Sequence, residues 1–100
     1  MYSLTPTPTF KRDVKRLAKK HWPLDDLKTA INLLVTGTNA ETLRSRYADH
    51  ALSSSSDWRG YRELHVNGPK GDWLLIYKVE QQNLLLTLVR TGSHKDLLGR

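Results

Sequence analysis

The hydrophobic period of the chain changes once, near its midpoint. Up to Tyr47 apolar residues recur every three to four positions, whereas from Tyr61 they recur every two. Helices repeat their faces every 3.6 residues and strands every 2.0, so the switch orders the fold as helices first and strands second. At 100 residues this is one α+β domain, spanning residues 1–100, in which helices must cover a sheet. After the punctuation of Thr5, Pro6, Thr7 and Pro8, Phe10, Val14 and Leu17 fall at i, i+4 and i+7. That spacing predicts a first helix, for which Thr9 can serve as cap. Leu24, Leu27, Ile31, Leu34 and Val35 repeat the pattern between Pro23, suited to a first turn, and Gly37, suited to a stop. The two helices, joined through His21 and Trp22, form a helical hairpin. Thr38 and Glu41 have capping-box spacing and predict a short third helix carrying Leu43 toward Arg44, Arg46 and Tyr47.

The second half reads as strands. Ser53 to Ser56 is a polar loop by composition, and Trp58, Arg59 and Gly60 open the next segment. From Tyr61 to Val66, one strand face carries Tyr61, Glu63 and His65 and the other Arg62, Leu64 and Val66. Asn67 to Gly71 is a turn, Asp72 to Glu80 a strand apolar on both faces, and Leu84 to Arg90 the most apolar strand, expected at the sheet's centre. Ser93 and Asp96 have capping spacing for a last short helix, HKDLL, that Gly99 ends. The expected architecture is therefore a helical hairpin on a small antiparallel sheet with a short C-terminal helix. Tyr2 to Leu4 could add a first strand. One core fits the length; two do not.

Composition removes several classes of function. No run approaches the roughly 18 apolar residues of a membrane span, and MYSLTPTPTF lacks the basic-then-apolar pattern of a signal peptide. A cytoplasmic location without membrane partners is expected. Zero cysteines exclude disulfides, thiolate metal sites and cysteine nucleophiles. Sixteen Lys and Arg against ten Asp and Glu leave a net charge of +6, and the pI near 9.8 is that of nucleic-acid-binding domains. The charge is concentrated: Lys11, Arg12, Lys15, Arg16, Lys19 and Lys20 stand on the first helix against Asp13 alone. Such a face is either merely solvated or a phosphate-binding surface.

Four histidines, His21, His50, His65 and His94, carry most of the available chemistry. None of their pairs has the i, i+3 or i+4 spacing of a helical metal site, so neither metal nor cofactor is expected. There is no phosphate loop and no GxSxG elbow. Consecutive antiparallel strands instead bring the end of one beside the start of the next. His65 ends a strand, Asp72 begins its neighbour, and a following antiparallel strand returns its far end, with His94, to the same edge. His50 with Arg59, Arg62 and Arg90 completes the candidate group.

Those residues carry a resemblance. Asp49-His50, the stretch Trp58 to Arg62 with Glu63 and His65, DWLLIYK from Asp72 to Lys78, and RTGSH from Arg90 to His94 resemble the YafQ group of the RelE superfamily. These are toxins of bacterial type II toxin–antitoxin systems. The likeness in order and spacing runs from Asp49 to Gly99, and the basic helical hairpin is also a family feature. It implies a RelE-like fold and a ribosome-dependent mRNA endonuclease acting in the ribosomal A site, held in check by a cognate antitoxin. An acidic, partly disordered antitoxin segment would suit the +6 charge. The family's catalytic positions fall on His50, His65, Asp72 and His94, with Trp73 lining the substrate path. Two features depart from the pattern. The NGPKG turn is long, and Leu97 and Leu98 stand where members often carry an aromatic residue.

RNA is cut without metal when a base takes the 2′-hydroxyl proton, an acid protonates the leaving 5′-oxygen and a cation offsets the phosphate charge. Histidine serves either proton-transfer role near neutral pH. On this reading His94 is the acid, His50 or His65 the base or a phosphate ligand, and Asp72 an orienting group or a base. Arg59, Arg62, Trp73 and Arg90 contact substrate, and the six cations of the first helix contact ribosomal RNA. Trp58, Trp73 and Tyr77 could equally be core aromatics. Two other functions remain open on the same residues: a gyrase-directed toxin of the ParE type, and a non-catalytic basic nucleic-acid-binding module.

Overall fold

The computed structural model describes residues 1–52 and 58–99, so the serine loop expected at Ser53 to Ser56 lies outside the described residues. In chain order the elements are β1 (Ser3–Pro6), α1 (Pro8–Lys19), α2 (Leu24–Thr36), α3 (Ala40–Tyr47), β2 (His50–Ala51), β3 (Arg62–His65), β4 (Trp73–Glu80), β5 (Leu85–Ser93) and α4 (His94–Leu98). The strands form one sheet in the order β1-β5-β4-β3-β2. Both helices of the hairpin, the third helix and the capped tail helix are present where the sequence periods put them.

Local chemistry sets the boundaries. Thr7, not Thr9, caps α1: its hydroxyl accepts from the Phe10 N–H at 3.0 Å and donates to the Val89 carbonyl at 2.8 Å, tying the helix start to β5. Pro8 follows in the first turn, where a missing N–H costs nothing. Gly37 ends α2 in the left-handed region. The expected Thr38 capping box does not form; Asn39 stands at the cap of α3, without a side-chain cap bond, and donates its amide to the Leu33 carbonyl. At α4 the Ser93 hydroxyl does accept from the Asp96 N–H.

Two expectations about the sheet, its purely antiparallel pairing and its central strand, are corrected. It is mixed, because β1 pairs in parallel with β5. The central strand is β4, with Trp73 to Tyr77 all buried, because β1 adds a neighbour on the far side of β5. The sheet is also covered on both faces. Phe10, Leu17, Leu27, Ala30 and Leu34 pack with Leu64, Leu75, Tyr77, Leu86 and Leu88 on the helix side. A smaller cluster of Leu52, Leu74, Ile76 and Leu97, with Trp58 and Tyr61 against it, lies on the other. A strand buried on both faces needs cover on both, and α4 supplies it with a single turn.

Antiparallel register decides which strand ends meet. His65 is opposite Leu74 and Trp73 opposite Ser93, so the end of β3, the start of β4 and the end of β5 share one edge. A bulge in β5 opposite Ile76 and Tyr77 shifts the alternation, so that Leu88 before it and Thr91 after it both serve the helix-covered side. There Asp13, 1% exposed, accepts from the Arg90 guanidinium at 3.0 and 3.1 Å and from the Thr91 N–H at 3.1 Å, with Arg16 3.1 Å away. Burial alone would push its carboxyl up. The bonds from Arg90 and Thr91 and the charges of Arg90 and Arg16 outweigh burial and hold it below the ordinary carboxylate range.

Candidate active site

The shared sheet edge collects three imidazoles and two carboxylates. His65 is central: its ring lies 6.3 Å from that of His50 and 5.4 Å from that of His94, centroid to centroid. Each ring is anchored through the same nitrogen. His50 Nδ1 is 2.6 Å from the Ala48 carbonyl and His65 Nδ1 is 2.9 Å from the Gly71 carbonyl. A carbonyl only accepts, so both Nδ1 atoms carry the proton and both Nε2 atoms are left as bases when the rings are neutral. His94 Nδ1 lies 2.5 Å from Asp72 Oδ1, which also accepts the His94 backbone N–H at 3.1 Å. Those two bonds hold the Asp72 carboxyl below its ordinary range, so it remains an anion that orients His94.

The long NGPKG turn contributes directly. Gly68 takes a φ of +99°, and the Gly71 N–H returns to the Gly68 carbonyl. The chain then reverses with the Gly71 carbonyl facing His65. A Cβ on Gly71 would fall on the Asn67 amide, so a side chain there would displace that exposed amide.

Glu63 is the residue that sequence reasoning passed over. It is 4% exposed, with Oε2 3.4 Å from His50 Nε2 and 3.7 Å from His65 Nε2, and its Oε1 is buried without a partner among the described residues. A buried carboxylate with an open oxygen between two imidazoles is a built electrostatic feature, because such a group is costly unless something positive or donating meets it. The signal was present: period two puts Glu63 on the face of His65. Donor atoms of Glu63, His65 and His94 also lie within 4.8 Å of one another. This is a nitrogen and oxygen set able to converge on a divalent transition metal, assembled across strands and therefore invisible to helical spacing rules.

The candidates are not all gathered here. Arg62 lies on the opposite face of β3, donating to Asp49 at 2.8 Å and to the Tyr77 hydroxyl at 3.3 Å. Arg90 is bound to Asp13. Both guanidiniums expected to offset phosphate charge are thus taken by internal carboxylates that burial obliges to find a cation. Arg59 is exposed in the turn before β3. Trp73 lines a cleft beside Asp72 but is 2% exposed, and its indole N–H donates to the Thr91 hydroxyl at 2.9 Å, so it is chiefly a core residue. Trp58 and Tyr77 also belong to the packed layers. On α1, Lys11, Arg12, Lys15, Lys19 and Lys20 are exposed, whereas Arg16 is turned inward to Asp13.

A helical hairpin over a five-stranded sheet, with histidines and carboxylates at one strand edge, is the architecture of a class of small bacterial toxins. The crystal structure of the Escherichia coli DinJ–YafQ complex contains a chain with a TM-score of 0.80 at 39% identity, covering 99% of this chain and 100% of that one. A metal-bound toxin from Helicobacter pylori gives a TM-score of 0.82 at 33% identity, covering 97% and 99%. The family model for the bacterial toxin of type II toxin–antitoxin system, YafQ, matches residues 2–99, and the chain belongs to that family. It is 42% identical over 90 residues, 90% of its length and 88% of the relative's, to the mRNA interferase toxin YafQ of Escherichia coli strain B / BL21-DE3. No helix among the described residues is long and apolar enough to cross a membrane.

Proposed function

We propose that this chain is the toxin of a type II pair and an mRNA interferase, an endoribonuclease that cuts translated message in the ribosomal A site by acid–base catalysis. One observation carries the mechanism: three imidazoles are each anchored at Nδ1, with His50 and His65 turning Nε2 to the buried Glu63 carboxylate and His94 beside His65. His65 takes the proton of a 2′-hydroxyl; the resulting oxyanion attacks phosphorus as the bond to the 5′-oxygen breaks, leaving a 2′,3′-cyclic phosphate. His94 gives its Nε2 proton to that 5′-oxygen. Glu63 stabilises the imidazolium that forms on His65, and Asp72 holds His94 in one orientation, as carboxylates do for catalytic histidines. An ionised Asp72 already bound to His94 is a poor base, which leaves it the orienting role. With Arg62 and Arg90 engaged elsewhere, His50 is the residue left to meet the phosphate.

Inducible expression in bacteria with mapping of message ends tests the reading. Cuts should fall at one fixed place within codons; intact message together with inhibited DNA gyrase would overturn it.

The exposed cations of α1 are the proposed contact with ribosomal RNA phosphates. Reversing the charges of Lys11, Lys15 and Lys19 together should weaken co-sedimentation with ribosomes, more steeply as salt rises, and leave the melting temperature nearly unchanged. Undiminished sedimentation would remove α1 from the interface. The antitoxin, by analogy with the DinJ–YafQ complexes, is a dedicated protein partner whose acidic segment neutralises part of the +6 charge.

A further inference from the structure

The α1–α2 turn builds a second feature beside the catalytic edge. His21 N–H donates to the Ala18 carbonyl and Trp22 N–H to the Leu17 carbonyl, both at 3.1 Å, with His21 in the left-handed region at φ 62°. This is a Schellman closure made without the usual glycine. A non-glycine residue persists in that conformation where its surroundings over-determine it. The closure sets Trp22 edge-on against Trp73, with centroids 5.1 Å apart and planes at 73°. Trp73 is buried and hydrogen-bonded through its indole N–H, whereas Trp22 is only half-buried.

Between them opens a cleft of about 330 Å³ lined by Trp22, Pro23, Asn67, Asp72 and Trp73. Its walls are mostly apolar, with an amide and a carboxylate among them. That volume is at the lower end of small-ligand sites and suits one flat heterocycle. Asp72 belongs to both features: its Oδ1 holds His94, and the residue lines the cleft. A nucleotide strand whose phosphodiester meets His94 therefore passes directly beside the cleft.

We propose that the cleft is a nucleobase subsite, in which Trp22 stacks on a base next to the scissile phosphate and the Asn67 amide meets its edge. The inference rests on the RNA-cleaving function proposed above. Stacking on an aromatic face is the common way proteins hold an unpaired base, and the Asn67 amide, whose oxygen accepts from the Trp73 N–H at 3.4 Å, offers its N–H₂ as a donor that discriminates between base edges.

The test measures cleavage on programmed ribosomes using messages that carry each of the four bases on either side of the cut. Trp22→Leu keeps apolar cover over Trp73 but loses the flat face. It should lower kcat/KM by about tenfold, mainly through KM, and flatten the base preference, while Trp22→Phe recovers most of both. Asn67→Ala, at an exposed turn position, should change the preference while losing only one long bond, from the Trp73 N–H at 3.4 Å, which keeps the test informative if Trp22→Leu folds poorly. Wild-type rates and an unchanged base spectrum in both Trp22→Leu and Asn67→Ala, on a wild type that cuts, would overturn the subsite alone. A wild type that leaves every message intact removes the ribonuclease reading and the subsite with it.

Discussion

His94→Ala is expected to slow single-turnover cleavage on programmed ribosomes by about 10²-fold or more, the scale on which a positioned proton donor acts. The geometry makes His94 the better acid of the three imidazoles. Its Nδ1 is held by the Asp72 carboxylate, which aims Nε2, whereas His65 and His50 are held by neutral carbonyls. Those same bonds hold the Asp72 carboxyl below its ordinary range, so it stays an anion that orients His94. Glu63→Gln, which keeps shape and removes charge, should reduce the rate in the same direction by a smaller factor. A wild-type rate for His94→Ala would take the residue out of the chemistry.

The largest loss of stability is expected from Asp13→Ala. The substitution leaves the Arg90 and Arg16 guanidiniums and the buried Thr91 N–H facing a void, and removing one partner of a buried ion pair costs about 3 to 5 kcal/mol. In a domain of this size the melting temperature should fall by about 12 °C or more, read by thermal denaturation. Replacing Asp13 and Arg90 together by Leu and Met should recover much of the loss, since it removes the pair without stranding a charge. A melting temperature unchanged by Asp13→Ala would show that the pair carries no stability.

The folded carboxyl of Asp13 is depressed, so its contribution is complete above the ordinary carboxylate pKa of 3.8 and is lost as pH falls through the lower folded value. Once Arg90 is replaced that acid-labile contribution shrinks, so the variant, already less stable, should lose stability less steeply as pH falls below about 3.8. The same pair steadies β5 just before Gly92, Ser93 and His94, which links the stability of α1 packing to the histidine-bearing edge.

What the sequence determined by itself was most of what depends on neighbours a few residues apart, the caps expected at Thr9 and Thr38 excepted. The stripe of Phe10, Val14 and Leu17, Pro23 and Gly37 around α2, the Ser93 cap and the period-two strands each act through bonds or faces within a turn or two. Antiparallel order alone was enough to place His65, Asp72 and His94 at one edge. Tertiary structure decided what depends on distance through space. Asp13 meets Arg90 across 77 positions, and the sequence offered no reason to choose that partner over a phosphate. Glu63 became a buried hinge between two imidazoles only when β2 paired with β3. Trp22 reached Trp73 only through the folded hairpin, and β1 found β5 from the opposite end of the chain. Charge and periodicity are written locally; which charge is desolvated, and against what, is fixed only when the layers close.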